Sequence, residues 1–488
     1  MADILIIKCW NPSRNEESKV APLGAMYLAA ALREAGHEPK ILHIGSDHAS
    51  IDLMKNTIAE RKPDVIGISA VVNEYRTFKE LAAFLHDITP DVPVMVGGPL
   101  AWSDPITTLR VDGVKVIALG EAERTIVELV DALLTGTDPL KVAGTAVLRD
   151  GELVKAPPRD LMTSAELDVL PFPAWDLIDL ADHWKYRSMA SVGIRRYMQV
   201  MTSRGCPYAC IYCHGMMGRQ YRYRSPESVI EEIRVLRERY DIHEFELVDD
   251  CFNLNRPRMH AILQGLIDFN DPLLRLQFPN GLRSDLLEEQ DIAMLRRAGT
   301  SFISFAIETA STRLQKMIHK NLDIEKALRA ITIANRAGIF CNGFFMLGFP
   351  TETKEEMEST IRLACSTDLH EALFFRVSPF KGTALYDLAM NCSDTKLSGI
   401  NLDDLQYFDV EHNLSEIEDK EFGKEFTSAY RRFYLNPKRM LRILQRHPRR
   451  SQLLMYVPQI LNKLAYGLVM RAKRRRLRSC IHTKSDIT

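Results

Sequence analysis

Thr202-Ser203-Arg204-Gly205-Cys206-Pro207-Tyr208-Ala209-Cys210-Ile211-Tyr212-Cys213 places three thiols within eight residues, directly after an apolar run at Tyr197–Thr202 that reads as a strand. A cubane iron–sulfur cluster takes four thiolates. Three would leave one iron open, and an open metal position is what binding a substrate requires. Zinc held by the three cysteines and His214 is a competing reading, but structural zinc sites draw ligand pairs from separate segments. Cys210-x-x-Cys213-His214 also spells a haem-attachment pattern, which needs export. Buried cysteines without metal fit poorly with three thiols so closely spaced on a loop with Gly and Pro.

Outward from this loop, strand and helix alternate on both sides. Toward the N-terminus, Ile4–Ile7, Pro39–Ile44, Val65–Ser69, Val94–Val96 and Val114–Ala118 read as strands. Leu23–Ala35, Ile51–Arg61, Glu74–Ile88 and Ala122–Leu134 read as the helices between them. Strict alternation predicts an open, mostly parallel, doubly wound sheet over residues 1–150, with a ligand beyond the carboxyl ends of its strands. Ser69, Gly97-Gly98-Pro99 and Gly120-Glu121 stand at those ends. A proline-rich linker (151–195) follows, and its stretch Ala156–Ala174 should run over the surface.

From about 196 to 392 the spacing predicts six strand–helix units, suited to a partial parallel barrel with active residues at the strand ends. The strands are Tyr197–Thr202, Glu244–Val248, Arg275–Phe278, Phe302–Ala306, Cys341–Leu347 and Ala372–Val377. Residues 393–488 become irregular, then helical and basic. Fifteen of the chain's 63 Lys and Arg fall between Arg431 and Arg478, with none of its 64 Asp and Glu. Gln452–Met470 carries Leu453, Val457, Ile460, Leu461, Leu464 and Leu468 at helical spacing, which suits an anionic membrane surface more than a nucleic acid. A helix capping the barrel is the alternative. Without a basic leader, and with nine cysteines lacking a paired framework, the chain reads as a cytoplasmic, globular protein, peripheral to the membrane at most.

The loop resembles the radical S-adenosylmethionine (SAM) signature, Cys-x3-Cys-x2-Cys with an aromatic, Tyr212, before the last cysteine. Val248-Asp249-Asp250-x-Phe252, Asn280-Gly281-x-Arg283, Ala306-Ile307-Glu308 and Gly343–Pro350 follow in order. Together they resemble the branch whose N-terminal domain binds cobalamin, over roughly residues 1–390. The resemblance implies that Cys206, Cys210 and Cys213 hold a [4Fe–4S] cluster and that SAM chelates the fourth iron. Tyr212 would lie beside the adenine. Asp249 or Asp250 would stand in for a Gly-Gly-Glu contact to the SAM amino group, Arg283 would pair with its carboxylate, and Glu308 would take the ribose hydroxyls. Gly348 would let the backbone pass close by. Reductive cleavage of SAM would then give a 5′-deoxyadenosyl radical that removes hydrogen from an unactivated carbon.

For the first domain, the resemblance implies cobalamin over Ser69, Gly97, Gly98 and Gly120. The usual Asp-x-His-x-x-Gly is missing, with Pro22-Leu23-Gly24 near its place, so no lower axial histidine is expected. No Gly-x-Gly-x-x-Gly follows the first strand, which argues against a nicotinamide cofactor. Two outcomes resemble known relatives: C-methylation of a hydrophobic substrate, and oxidative ring closure of the magnesium-protoporphyrin monomethyl ester cyclase type. A cobalamin or metal sensor without catalysis is a third reading. An electron donor such as flavodoxin or ferredoxin is the implied partner. No acid–base residue is assigned; His214, Tyr221 and Cys251 lie near the expected active face.

Overall fold

The computed structural model describes residues 1–11, 19–392 and 413–456. The chain is an α/β protein that divides into two compact units. Among the described residues, one comprises 1–11, 19–189, 194–275 and 378–392; the other comprises 190–193, 276–377 and 413–456.

In the first unit, β1 (Asp3–Cys9), β2 (Glu38–Ile44), β3 (Val65–Ser69), β4 (Val94–Gly97) and β5 (Val114–Ala118) form a parallel sheet. The order is β2-β1-β3-β4-β5, continued by β6 (Thr145–Arg149) and β7 (Glu152–Lys155). Near-continuous apolar runs are what a parallel strand covered on both faces demands. Ile7, Ile66, Ile68, Val94, Val96 and Ile117 accordingly pack with Phe78, Leu81 and Leu85 of the helix Tyr75–Ile88 in one buried cluster.

The β6–β7 pair is antiparallel, an addition to the expected sheet. Asp150 and Gly151 form its two-residue turn with φ of 51° and 82°, the positive pair that matches strand twist. The stretch after it departs from the expected surface path: Met162, Leu167, Ala174 and Trp175 are buried. Apolar side chains placed between the prolines pull it inward, and a short helix, Ser164–Asp168, starts there on a Thr163/Glu166 capping box.

The same unit holds the first two strands of the second parallel system, β8 (Met198–Val200) and β11 (Glu244–Leu247), which pair in parallel. Between them β9 (Ser203–Arg204) and β10 (Arg222–Tyr223) make a two-rung antiparallel ladder. The helix Pro226–Tyr240 begins on the Ser225 cap with proline at its first position and ends on left-handed Asp241.

The second unit carries β12 (Arg275–Leu282), β13 (Thr300–Glu308), β14 (Phe340–Leu347) and β15 (Glu371–Arg376), paired in sequence and all parallel. Phe302, Phe305, Phe340, Phe345 and Phe374 are fully buried in it. The helix Asp419–Tyr434 covers β15: the Tyr434 hydroxyl bonds the N–H and C=O of Ala372, and the Tyr430 hydroxyl those of Phe374. Four backbone groups that would lie open along a sheet edge are thus satisfied. The amphipathic segment read from Gln452 to Met470 lies, beyond residue 456, outside the described residues.

Candidate active site

The cluster loop spans the seventeen residues from Gly205 to Tyr221, closed at its mouth by the Arg204–Arg222 and Ser203–Tyr223 rungs. Gly205 starts it with φ of 80°, and a Cβ there would stand 2.3 Å from the Gln220 carbonyl oxygen, so only glycine fits. Asp250 accepts from the Gly205 N–H (3.0 Å), and the Cys206 N–H donates to the Gly218 carbonyl (3.3 Å). Withdrawal from water is the first cause raising the Cys206 and Cys213 thiols, and Asp250 and the neighbouring sulfurs raise both further. The Cys213 thiol is pushed up to about 11.

The three sulfurs therefore share one neighbourhood, and binding iron must release their protons. Among the described residues, no three His, Cys, Asp or Glu side chains gather at the spacing of a single ion. A cubane gives each thiolate its own iron and does not ask for that spacing. The donor set fits the cluster.

Asp249 and Asp250 separate in role. Asp249 is 2% exposed, and its Oδ1 accepts from the Thr202 N–H (2.9 Å), the Thr202 hydroxyl (2.9 Å) and the Ser203 hydroxyl (2.6 Å). It braces the strand-to-loop junction. Asp250 is exposed beside the loop. His214 lies half-buried between the rings of Trp102 and Phe380, with centroids at 6.1 and 5.8 Å, and its ring nitrogens make no hydrogen bond. Tyr221 packs on Tyr223 (5.4 Å), and Cys251 is buried.

In the first sheet, a cavity of about 290 Å³ opens at the carboxyl ends of β1, β3, β4 and β5. Ser69, Gly97, Gly98 and Gly120 all line it, with Lys8 and Leu23. Gly98 has φ of 90°, and a Cβ there would meet the Ala70 oxygen at 3.1 Å and the Ser69 hydroxyl at 3.2 Å. At Gly120 a Cβ would meet nothing within 4 Å, so its space belongs to the cavity. Arg204, Met216 and Met217 of the cluster-loop region line the same cavity. A concave, mainly apolar site with glycines at strand ends fits a bulky planar cofactor.

Sequence reasoning did not single out the charges that join this cavity to the cluster loop. Glu121 accepts from Arg222 Nη1 on both oxygens (2.8 and 2.9 Å) and from the Met162 N–H (3.0 Å). Glu123 pairs with Arg204 Nη2. All four side chains are 7% exposed or less. The signal was present: an arginine two residues before the first cysteine, just beyond an apolar strand.

In the second unit, Arg283 is held bidentately by Asp285 (2.6 and 3.1 Å) and donates to the carbonyls of Lys320 and Asn321. Glu308 ends β13 in the left-handed region, φ 67°, at a register shift, and pairs with Lys320 Nζ (2.9 Å). Such a backbone is unfavourable for a residue with a side chain and clusters at functional positions. Gly348 follows β14, its N–H donating to buried Glu352 (2.5 Å). Burial pushes the Glu352 carboxyl up to about 7, against the pull of its two backbone donors.

A parallel system whose first strand runs into a loop with three cysteines, after a doubly wound domain with an open glycine-lined cavity, defines a class: a radical SAM enzyme with an attached cobalamin domain. Comparison with known proteins agrees. Residues 200–364 match the radical SAM superfamily and 14–130 the B12 binding domain. An uncharacterized methyltransferase of Pyrococcus horikoshii is 30% identical over 87% of this chain and 90% of its own. The cytidylyl-2-hydroxyethylphosphonate methyltransferase of Streptomyces wedmorensis is 29% identical over 75% and 77%. The anaerobic magnesium-protoporphyrin IX monomethyl ester cyclase of Rubrivivax gelatinosus is 25% identical over 85% and 74%. The cobalamin-dependent radical enzyme OxsB shares the fold at a TM-score of 0.71 and 15% identity, over 100% of this chain and 82% of its own. The methyltransferase TsrM from Kitasatospora setae does so at 0.66 and 20%, over 81% and 77%. The chain belongs to the radical SAM superfamily, in the branch with an N-terminal B12-binding domain. It is a radical SAM enzyme, and its cofactors are a [4Fe–4S] cluster, SAM and cobalamin.

Proposed function

We propose that this enzyme methylates an unactivated carbon of a hydrophobic substrate. The observation that carries the reading is the cavity at the strand ends of the first sheet, lined also by Arg204 and by Met216 and Met217 of the cluster loop. A cavity that would hold cobalamin, lined in part by the cluster-loop region, suits a reaction that needs both a hydrogen-abstracting radical and a methyl carrier. The cluster with SAM supplies the first when bound, and cobalamin the second.

The chain's own residues hold and shield. Cys206, Cys210 and Cys213 ligate iron; Asp249 and Gly205 set the loop's take-off. Tyr212 and Asp250 are assigned to SAM, and Ser69, Gly97, Gly98 and Gly120 to cobalamin. Fixing donors and acceptors before the reaction, and keeping competing hydrogen donors out, is the protein's contribution to such chemistry. Relatives named as methyltransferases support methyl transfer, while the likeness to the ring-closing cyclase keeps oxidative cyclisation as the second reading.

No helix among the described residues is long and apolar enough to cross a membrane. Exposed Leu435, Met440, Leu441 and Leu444 beside Lys438, Arg442 and Arg446 support a peripheral, membrane-facing place for the C-terminal part, and with it a hydrophobic substrate. A small reductant protein is the expected electron donor. The test is anaerobic: reconstitute cluster and hydroxocobalamin, reduce, add SAM, and assay its products. S-adenosylhomocysteine together with 5′-deoxyadenosine supports methyl transfer; 5′-deoxyadenosine alone moves the assignment to cyclisation.

A further inference from the structure

Glu121, Glu123, Arg204 and Arg222 form an enclosed charge cluster beside the cavity. Their placement is specific. Glu121 and Glu123 follow Gly120 at the carboxyl end of β5 and line the cavity together with Arg204. Arg204 and Arg222 face each other as the rung that closes the mouth of the cluster loop. Arg222 Nη2 also donates to the carbonyl of Met217 (2.5 Å), and Met217 lines the cavity from inside the loop. Arg204 Nη1 lies 3.5 Å from Glu121 as well, so the four charges form one network.

Buried ion pairs are weak devices for stability, because apolar replacements of similar volume do as well or better. What they give is direction: a guanidinium and a carboxylate meet in a narrow set of geometries. Here those geometries tie one wall of the cavity to both ends of the loop that carries the three cysteines. A shift of the Gly120–Glu123 turn cannot occur without moving Arg204, two residues before Cys206, or leaving a buried charge unpaired.

We propose that these four are positioning residues that couple the two cofactors. Cobalamin in the cavity fixes the Gly120–Glu123 turn, the turn fixes the mouth of the cluster loop, and the loaded cluster tightens the cavity in return. The proposal rests on the cobalamin reading above. Coupling between binding sites is reciprocal, so either cofactor reports on it.

The experiment uses the full chain, anaerobically, and measures hydroxocobalamin affinity by absorbance with the cluster reconstituted and with iron removed. Wild-type protein should bind about fivefold tighter or more when the cluster is loaded, the low end of measured couplings. The double substitution Glu123→Leu with Arg204→Met removes both charges and strands neither. It should keep its iron content and its melting temperature, while the ratio falls to within about twofold of unity. Glu123→Gln, which keeps an acceptor and drops the charge, should also lose most of the ratio. A wild-type ratio of one overturns the proposal whatever the variants do, and so does a ratio retained in the double variant. Cluster-loaded wild type that binds no hydroxocobalamin at all is a different result; it overturns the cobalamin assignment itself.

Discussion

The two units hold their candidate site residues by opposite means. In the first, a seventeen-residue loop with few internal bonds is anchored by enclosed charges: Glu121 with Arg222, Glu123 with Arg204, and Asp249 across the Thr202–Ser203 junction. In the second, Glu308 and Gly348 sit at strand ends, and the sheet places them through backbone geometry, a left-handed φ of 67° at one and 98° at the other. A long loop has no ladder to hold it, so side chains must supply the register. A strand end already has its register and needs only a local bend. The first construction should fail by loss of charge partners, the second by small changes in shape or protonation.

Four substitutions sharpen this contrast. Cys206→Ala, or the same change at Cys210 or Cys213, should abolish cluster loading and all cleavage of SAM while the chain still melts cooperatively; iron content, sulfide content and 5′-deoxyadenosine check it. Arg222→Met leaves buried Glu121 with only Arg204 at 3.5 Å and the Met162 N–H, and should destabilise the first unit by at most about 3–5 kcal/mol, the cost of a fully stranded charge. Denaturant unfolding measures that, and Glu121→Leu added to it should recover much of the loss. Gly97→Val puts a side chain where the cavity is open. It should weaken hydroxocobalamin binding roughly tenfold or more, from about 1–3 kcal/mol of crowding, with little effect on the fold.

The smallest effect is electrostatic. Glu352 is fully buried and its carboxyl is raised from 4.5 to about 7. A folded pKa above the unfolded one means that its contribution is complete below about 4.5 and is lost as pH rises through about 7. The loss is at most about 3 kcal/mol by pH 8. Glu352→Gln should flatten that slope in melts taken at several pH values. An unchanged slope would place the titrating group elsewhere.

Much of the architecture was legible because burial on both faces leaves a plain mark. Val65–Ser69 and Val114–Ala118 end where their apolar runs end, and the helix start at Ser225 is marked by its cap. The β6–β7 hairpin escaped notice although Asp150-Gly151 is a strong turn pair, since short, half-exposed strands show little periodicity. The burial of Met162 and Trp175 leaves no mark in the sequence, because a proline-rich stretch without periodicity reads as a surface path. At the site, the cysteines announce themselves by spacing. The role of Asp249 does not, because a carboxylate that braces a turn and one that meets a ligand look alike in one dimension. The Glu121 and Glu123 partners are 101 and 81 residues away, a separation that no local pattern records.

The most direct test of the central claim is the product balance of the wild-type enzyme reconstituted with iron, sulfide and hydroxocobalamin, reduced, and given SAM. The account predicts one cobalamin bound per chain and formation of both 5′-deoxyadenosine and S-adenosylhomocysteine, the latter only when cobalamin is present. A fully loaded cluster with no bound cobalamin, and S-adenosylhomocysteine absent with or without it, would contradict the account.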